Sequence, residues 1–118
     1  MYIYEFRYKL KPNTDVDELS RMFDELVIPI CREIPGFVSA TTYKYSSASG
    51  NNSPEWDYLY IEAWENKEAY EKAGREKLIG MEPDTKVYKT GFVEKFMSAF
   101  DSGTSIYATL LYSSAKED

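Results

Sequence analysis

Six residues in two short stretches could do chemistry together. Glu5 and Arg7 stand two apart near the start of the chain, and Tyr58, Tyr60, Glu62 and Trp64 alternate within Trp56-Asp-Tyr-Leu-Tyr-Ile-Glu-Ala-Trp64. Residues two apart on a strand share a face, so Tyr58, Tyr60, Glu62 and Trp64 point one way, and Leu59, Ile61 and Ala63 point the other. A carboxylate held among aromatic rings has its charged form disfavoured, and it can then serve as a proton-transferring base. The chemistry expected is removal of a proton from a bound phenol or enol by Glu62 or Glu5. Arg7 would orient the substrate, and Tyr58, Tyr60 and Trp64 would line its site. The same residues also suit a plainer role, as a Glu–Arg pair and tyrosine hydroxyls satisfying one another inside a subunit interface.

What the chain lacks narrows the chemistry further. It has no histidine, which removes histidine-based triads, histidine-ligated haem and most zinc sites. There is no glycine-rich phosphate loop. Glu82 and Asp84 read as solvated loop carboxylates rather than a metal site, so neither metal nor cofactor is expected. The lone Cys31 has no partner for an internal disulfide and no histidine to activate it, and it reads as a part-buried structural thiol. A net charge of -6 argues against nucleic acid as a partner. No apolar run is long enough for a membrane span, and no signal-like start is present, so a cytoplasmic protein is expected. The positive anomaly is aromatic content, with 11 Tyr, 6 Phe and 2 Trp in 118 residues.

The elements that must position these residues emerge from periodicity. Tyr2 to Leu10 alternates as a first strand. Thr14, with Asp17 three residues on, reads as a helix cap. Val16, Leu19, Phe23, Leu26, Ile30 and Ile34 then trace a helix to about Ile34. Pro29 lies inside that pattern and predicts a kink or break near Val27-Ile28. After the Pro35-Gly36 turn, Phe37 to Ser46 is a second strand, Ser47 to Glu55 a hairpin loop, and Trp56 to Trp64 a third strand. Asn66 caps a helix through about Ile79, with Glu68–Lys72 and Glu71–Arg75 pairs one turn apart, and Gly80 stops it. Met81 to Lys89 is irregular. Phe92, Val93, Phe96, Met97 and Phe100 mark a short extra helix capped by Thr90 and ended by Gly103. Ser105 to Ser113 is the last strand, and residues 115–118 form a frayed tail.

This order predicts one α+β domain over residues 1–118. It is a ferredoxin-like βαββαβ antiparallel sheet with helices on one face, the first and third strands central, and an extra short helix before the last strand. The uncovered face, assigned Ile3, Glu5, Arg7, Tyr58, Tyr60, Glu62 and Trp64, would expose more apolar surface than a monomer ordinarily does. A homodimer through that open sheet face is therefore expected, with a barrel-like interior between subunits.

The opening Tyr-x-Tyr-Glu-x-Arg-Tyr-x-Leu-Lys-Pro, the Ile34-Pro-Gly-Phe37 turn and the stretch Tyr58-Leu-Tyr-Ile-Glu-Ala-Trp-Glu-Asn-Lys-Glu-Ala-Tyr70 resemble the dimeric α/β-barrel superfamily. Within it the chain is similar to antibiotic-biosynthesis-monooxygenase-like and NIPSNAP-like proteins. The likeness covers roughly residues 1–79 and the final strand. It implies a small-molecule-binding barrel, in its most concrete form a cofactor-free monooxygenase-like enzyme acting on an aromatic or polyketide-like substrate. The alternative is a non-enzymatic ligand-binding or protein-interaction module built on the same barrel. An enclosed cavity holding Glu62 and Arg7 would favour the enzyme, and an interior filled by tyrosines would favour the module.

Overall fold

The computed structural model describes residues 1–46 and 55–114. The hairpin loop and the tail read from the sequence lie outside them, apart from Glu55. Four strands form one antiparallel sheet: β1 (Tyr2–Leu10), β2 (Phe37–Lys44), β3 (Tyr58–Trp64) and β4 (Phe100–Thr109). They lie in the order β2-β3-β1-β4, with β1 and β3 central as the sequence predicts. Four helices, α1 (Val16–Met22), α2 (Ile28–Arg32), α3 (Lys67–Arg75) and α4 (Phe92–Ala99), complete a ferredoxin-like α+β fold.

The first helical stretch bends as Pro29 requires, but by widening rather than breaking. Residues Phe23–Val27 form a π-helical turn between α1 and α2, in which the Ile28 N–H donates to the Phe23 carbonyl five residues back. Pro29 has no N–H, and its ring would collide with the carbonyl four residues earlier, so the wider turn absorbs it in the first turn of α2. The start is corrected by one residue. Asp15, not Thr14, caps α1 by accepting from the Glu18 N–H, while the Thr14 hydroxyl donates to the Lys11 carbonyl.

Asn66 caps α3 as expected, accepting from the Ala69 N–H at 2.8 Å. That helix ends at Arg75 rather than Ile79, because Lys77 takes a left-handed backbone (φ 60°) and turns the chain before Gly80 is reached. Glu71 pairs with Lys67 and Arg75, but Lys72 pairs with Glu76 instead of Glu68. Within the irregular 81–89 stretch, Tyr88–Thr90 forms a short 3-10 turn. Thr90 accepts from the Phe92 N–H, while Gly91 occupies the cap position of α4.

Gly103 does not end α4. The chain passes from Ala99 straight into β4, where Gly103 lies opposite Tyr8. A Cβ on Gly103 would come within 2.9 Å of the Phe6 and Phe100 rings and 2.8 Å of the Arg7 carbonyl.

Pairing between β1 and β3 sets which side chains share a face. Tyr2 faces Trp64, Tyr4 faces Glu62, Phe6 faces Tyr60, and Tyr8 faces Tyr58. These rings meet the helices: Phe23 packs edge-on to Tyr60, Phe96 packs on Phe6 and Tyr8, and Tyr70 on Tyr2 and Trp64. Ile3, Glu5, Arg7, Leu59 and Ile61 occupy the opposite, open face. The core lies under the helices in two adjoining clusters, one around Tyr2, Ile34, Trp64 and Ala73, the other around Val27, Cys31 and Val87.

Candidate functional site

Glu62 sits near the middle of β3, on the helix side of the sheet, and its carboxylate is the most constrained polar group found there. Tyr60 Oη donates to Glu62 Oε2 at 2.6 Å, and Trp64 Nε1 donates to Glu62 Oε1 at 2.7 Å. Alternation along β3 makes this possible, because residues two apart point to the same side. Trp64 is completely buried, against Phe37 and Tyr70. Phe23, from the π-helical turn, closes over Tyr60.

Burial raises the Glu62 pKa above the usual carboxylate range, with the two hydrogen bonds partly opposing it. Tyr60 is pushed well up, first by burial and then by the Glu62 charge beside it. The buried Cys31 thiol is pushed up to about 12 by the same two causes. The arrangement is thus a half-buried carboxylate with two fixed donors. A carboxylate offers about four lone-pair directions, so roughly two remain to accept a proton.

The structure divides the six residues expected to act together. Tyr58, Tyr60, Glu62 and Trp64 share one face, as predicted, but that face lies beneath the helices and not on the open side. Glu5 and Arg7 do face the open side, so the sheet separates them from Glu62. A lack of polar atoms points Leu59, Ile61 and Ala63 toward the helices when the sequence is read alone. The fold instead buries the larger aromatic surface there, which gains more from leaving water, and satisfies its hydroxyl and indole with Glu62.

Glu5 and Arg7 stand 3.9 Å apart, with side chains 25% and 39% exposed. Arg7 Nε is buried without a hydrogen-bond partner, the one such side-chain atom found among the described residues. Tyr58 stacks on Tyr8, away from the carboxylate.

Sequence reasoning missed Tyr4 and Tyr70. Tyr4 is directly opposite Glu62 across the β1–β3 ladder, and Tyr70 reaches Trp64 from α3. The signal for Tyr4 was its place in the Tyr2-Tyr4-Phe6-Tyr8 alternation, once that face is paired with the face carrying Glu62.

Two surface depressions lie elsewhere. One, of about 330 Å³, opens between Lys11–Asp15 and the end of α4; the other, of about 210 Å³, lies at Gly36 and Asn66. Neither includes Glu62. Around the carboxylate, the space is taken by aromatic rings.

No family model matches the chain, and no curated protein matches it. Solved structures do. A putative antibiotic biosynthesis monooxygenase from Nitrosomonas europaea superimposes with a TM-score of 0.63 at 12% identity, over 95% of this chain and all of that one. SnoaB, a cofactor-independent oxygenase from Streptomyces nogalater, gives 0.57 at 13% identity, covering 95% and 92%. A dimeric ferredoxin-like protein of unknown function from Thermobifida fusca gives 0.60 at 9% identity, covering 92% and 90%. The fold is therefore the ferredoxin-like one that antibiotic-biosynthesis-monooxygenase-like proteins share.

Proposed function

We propose that this chain is a small-molecule-binding α/β-barrel protein in which Glu62 transfers a proton at a phenolic or enolic ligand. One observation carries the reading. The half-buried Glu62 carboxylate is fixed by Tyr60 and Trp64 within an aromatic layer, and loss of solvent there raises its pKa. Raising a base toward neutrality improves its match to a phenol or enol proton. Once ionised, such a ligand is electron-rich and can itself supply the electrons that dioxygen needs. A ring CH₂ and one O₂ would become a ring C=O and one water. That is the monooxygenase-like form, in keeping with the fold shared with SnoaB and the Nitrosomonas protein. In this arrangement Tyr60 and Trp64 hold the base, and Tyr58 is a packing residue.

Glu5 and Arg7 belong in this reading to a homodimer through the open face. That face carries Ile3, Leu59, Ile61 and Ile106 around the pair, and Arg7 Nε lacks a partner within its own chain. Leu111 and Tyr112, past the end of β4, are 88% and 82% exposed. A second copy would cover these groups and bring a carboxylate to Arg7. The dimeric Thermobifida protein of the same fold supports that assembly.

A non-enzymatic ligand-binding or protein-interaction module is the second reading, favoured by the aromatic filling around Glu62 and by the sheet that parts Glu62 from Arg7, so that no one cavity holds both. The test is a panel of planar phenols and anthrone-like ligands, followed by absorbance and dioxygen uptake. Turnover that rises with pH to a midpoint above the ordinary carboxylate range, and that falls at least 100-fold in Glu62→Gln, is the expected outcome. Ligand binding without turnover, unaffected by Glu62→Gln, would establish the module.

A further inference from the structure

Arg7 is the unfinished group of the open face. Its Nε is buried without a hydrogen-bond partner, and Glu5 of the same chain approaches only Nη2, at 3.9 Å, too long for a hydrogen bond. Nε and Nη2 form one edge of the planar guanidinium, and such an edge binds a carboxylate through both of its oxygens. We infer that this edge is filled by the partner's Glu5, with the two central β1 strands crossing in opposite directions. The pairing rests on assembly through the open face and is independent of proton transfer at Glu62.

The strand registers identify the carboxylate. The row through Glu5 holds Thr41, Ile61 and Ile106, and the row through Arg7 holds Tyr43, Leu59 and Thr104. None of these is charged. The rows outside them add Lys9 and no carboxylate, while Asp57 and Asp101 lie at one end of the sheet, outside the paired registers. A symmetric pair buries the same patch on both subunits. Within those registers, the carboxylate that a second copy brings to Arg7 is therefore the partner's Glu5, and the partner's Arg7 receives Glu5 in return. Direction follows from sign. Two β1 strands crossing in the same direction would set each charge over its own copy, which repels. Crossing in opposite directions, with the two-fold axis level with Phe6, sets Glu5 over the partner's Arg7. Charge also favours this face over the rest of the surface. The whole chain carries a net charge of -6 and so tends to repel its copy, whereas the outward residues of the paired registers offer one carboxylate, Glu5, against two cations, Arg7 and Lys9.

Mixing two variants separates pairing between chains from pairing within one. Arg7→Glu gives a face with two carboxylates, and Glu5→Arg gives one with two guanidinium groups. Each alone should sediment as a monomer at concentrations where the parent is a dimer. Their equimolar mixture should recover the dimer, and native mass spectrometry should show one chain of each kind. The pair within each chain stays broken in that species, so only contacts across the interface can restore it. Glu5→Gln, the mildest change, should weaken association of the parent roughly 30-fold or more, because it strands the partner's Arg7. Variants that turn monomeric but do not combine would overturn the partner's Glu5 as the group on Arg7, and the open face would remain the interface. Unaltered dimers from both reversed variants, or a monomeric parent, would remove the open face and the pairing together. Should a reversed chain fail to fold, Glu5→Gln decides, and unchanged association overturns the pairing.

Discussion

At the scale of single residues, Glu62 contributes to the pH dependence of stability with a known sign. Its pKa is raised in the folded chain, so the native state holds its proton where the unfolded chain has released it. Stability therefore falls as pH rises from the ordinary carboxylate range through the folded value, and below that range the contribution is fully present. The wild type should lose stability relative to Glu62→Gln as pH climbs through this window, measured by urea unfolding at several pH values. A flat difference would show that burial does not penalise the charge. Cys31 gives a second, independent readout. With a thiol pushed up to about 12 and buried beneath the helices, it should resist thiol-specific reagents in the folded protein and react fully on unfolding. Labelling at the rate of a free thiol under native conditions would mean that the helices open readily.

At the scale of elements, the entry to β2 lies against α3 where Gly36 leaves no room for a side chain. Gly36 has φ +86°, and a Cβ there would meet the Ala69 Cβ at 2.4 Å. Gly36→Ala should cost about 2–4 kcal/mol in urea unfolding, combining a left-handed backbone with a clash. Ala69→Gly in the same chain should recover the clash portion and leave the backbone portion. Here the sequence was legible. The Pro35-Gly36 turn and the Asn66 cap that frame the contact were both readable, because turns and caps depend on a few local residues. Facing was less legible. Alternation shows which residues of β3 go together, but not which of two faces the helices cover, and here that turns on pairing with β1 some fifty residues away. The end of α3 is hidden for a related reason. Lys77 takes a left-handed backbone normally left to glycine, and nothing in its type signals that.

For the whole molecule, the proposed homodimer is tested at the open sheet face. Arg7→Glu should place two like charges beside each other on that face and shift the protein to monomer in analytical ultracentrifugation. The swapped pair, Glu5→Arg with Arg7→Glu, should restore association. Failure of Arg7→Glu to alter the sedimenting mass would remove the open face from the interface. Glu5 and Arg7 were recognisable in the sequence as a pair, and their separation from Glu62 was not. That separation leaves the carboxylate under the helices and the ion pair facing outward.

The π-helical turn at Phe23–Val27 bears on how the chain can change length. A turn closed five residues back holds one residue more than an ordinary helical turn, so Phe23–Val27 behaves as an insertion already accommodated. Deleting one residue there alone would return Pro29 to a regular helix and revive its clash with the carbonyl four residues before it. Cys31 and Ile34 would keep their facing toward the sheet, so the clash at Pro29 is what such a deletion costs. Relatives with a helix one residue shorter should therefore lack the proline as well, the two differences arising together and neither surviving alone.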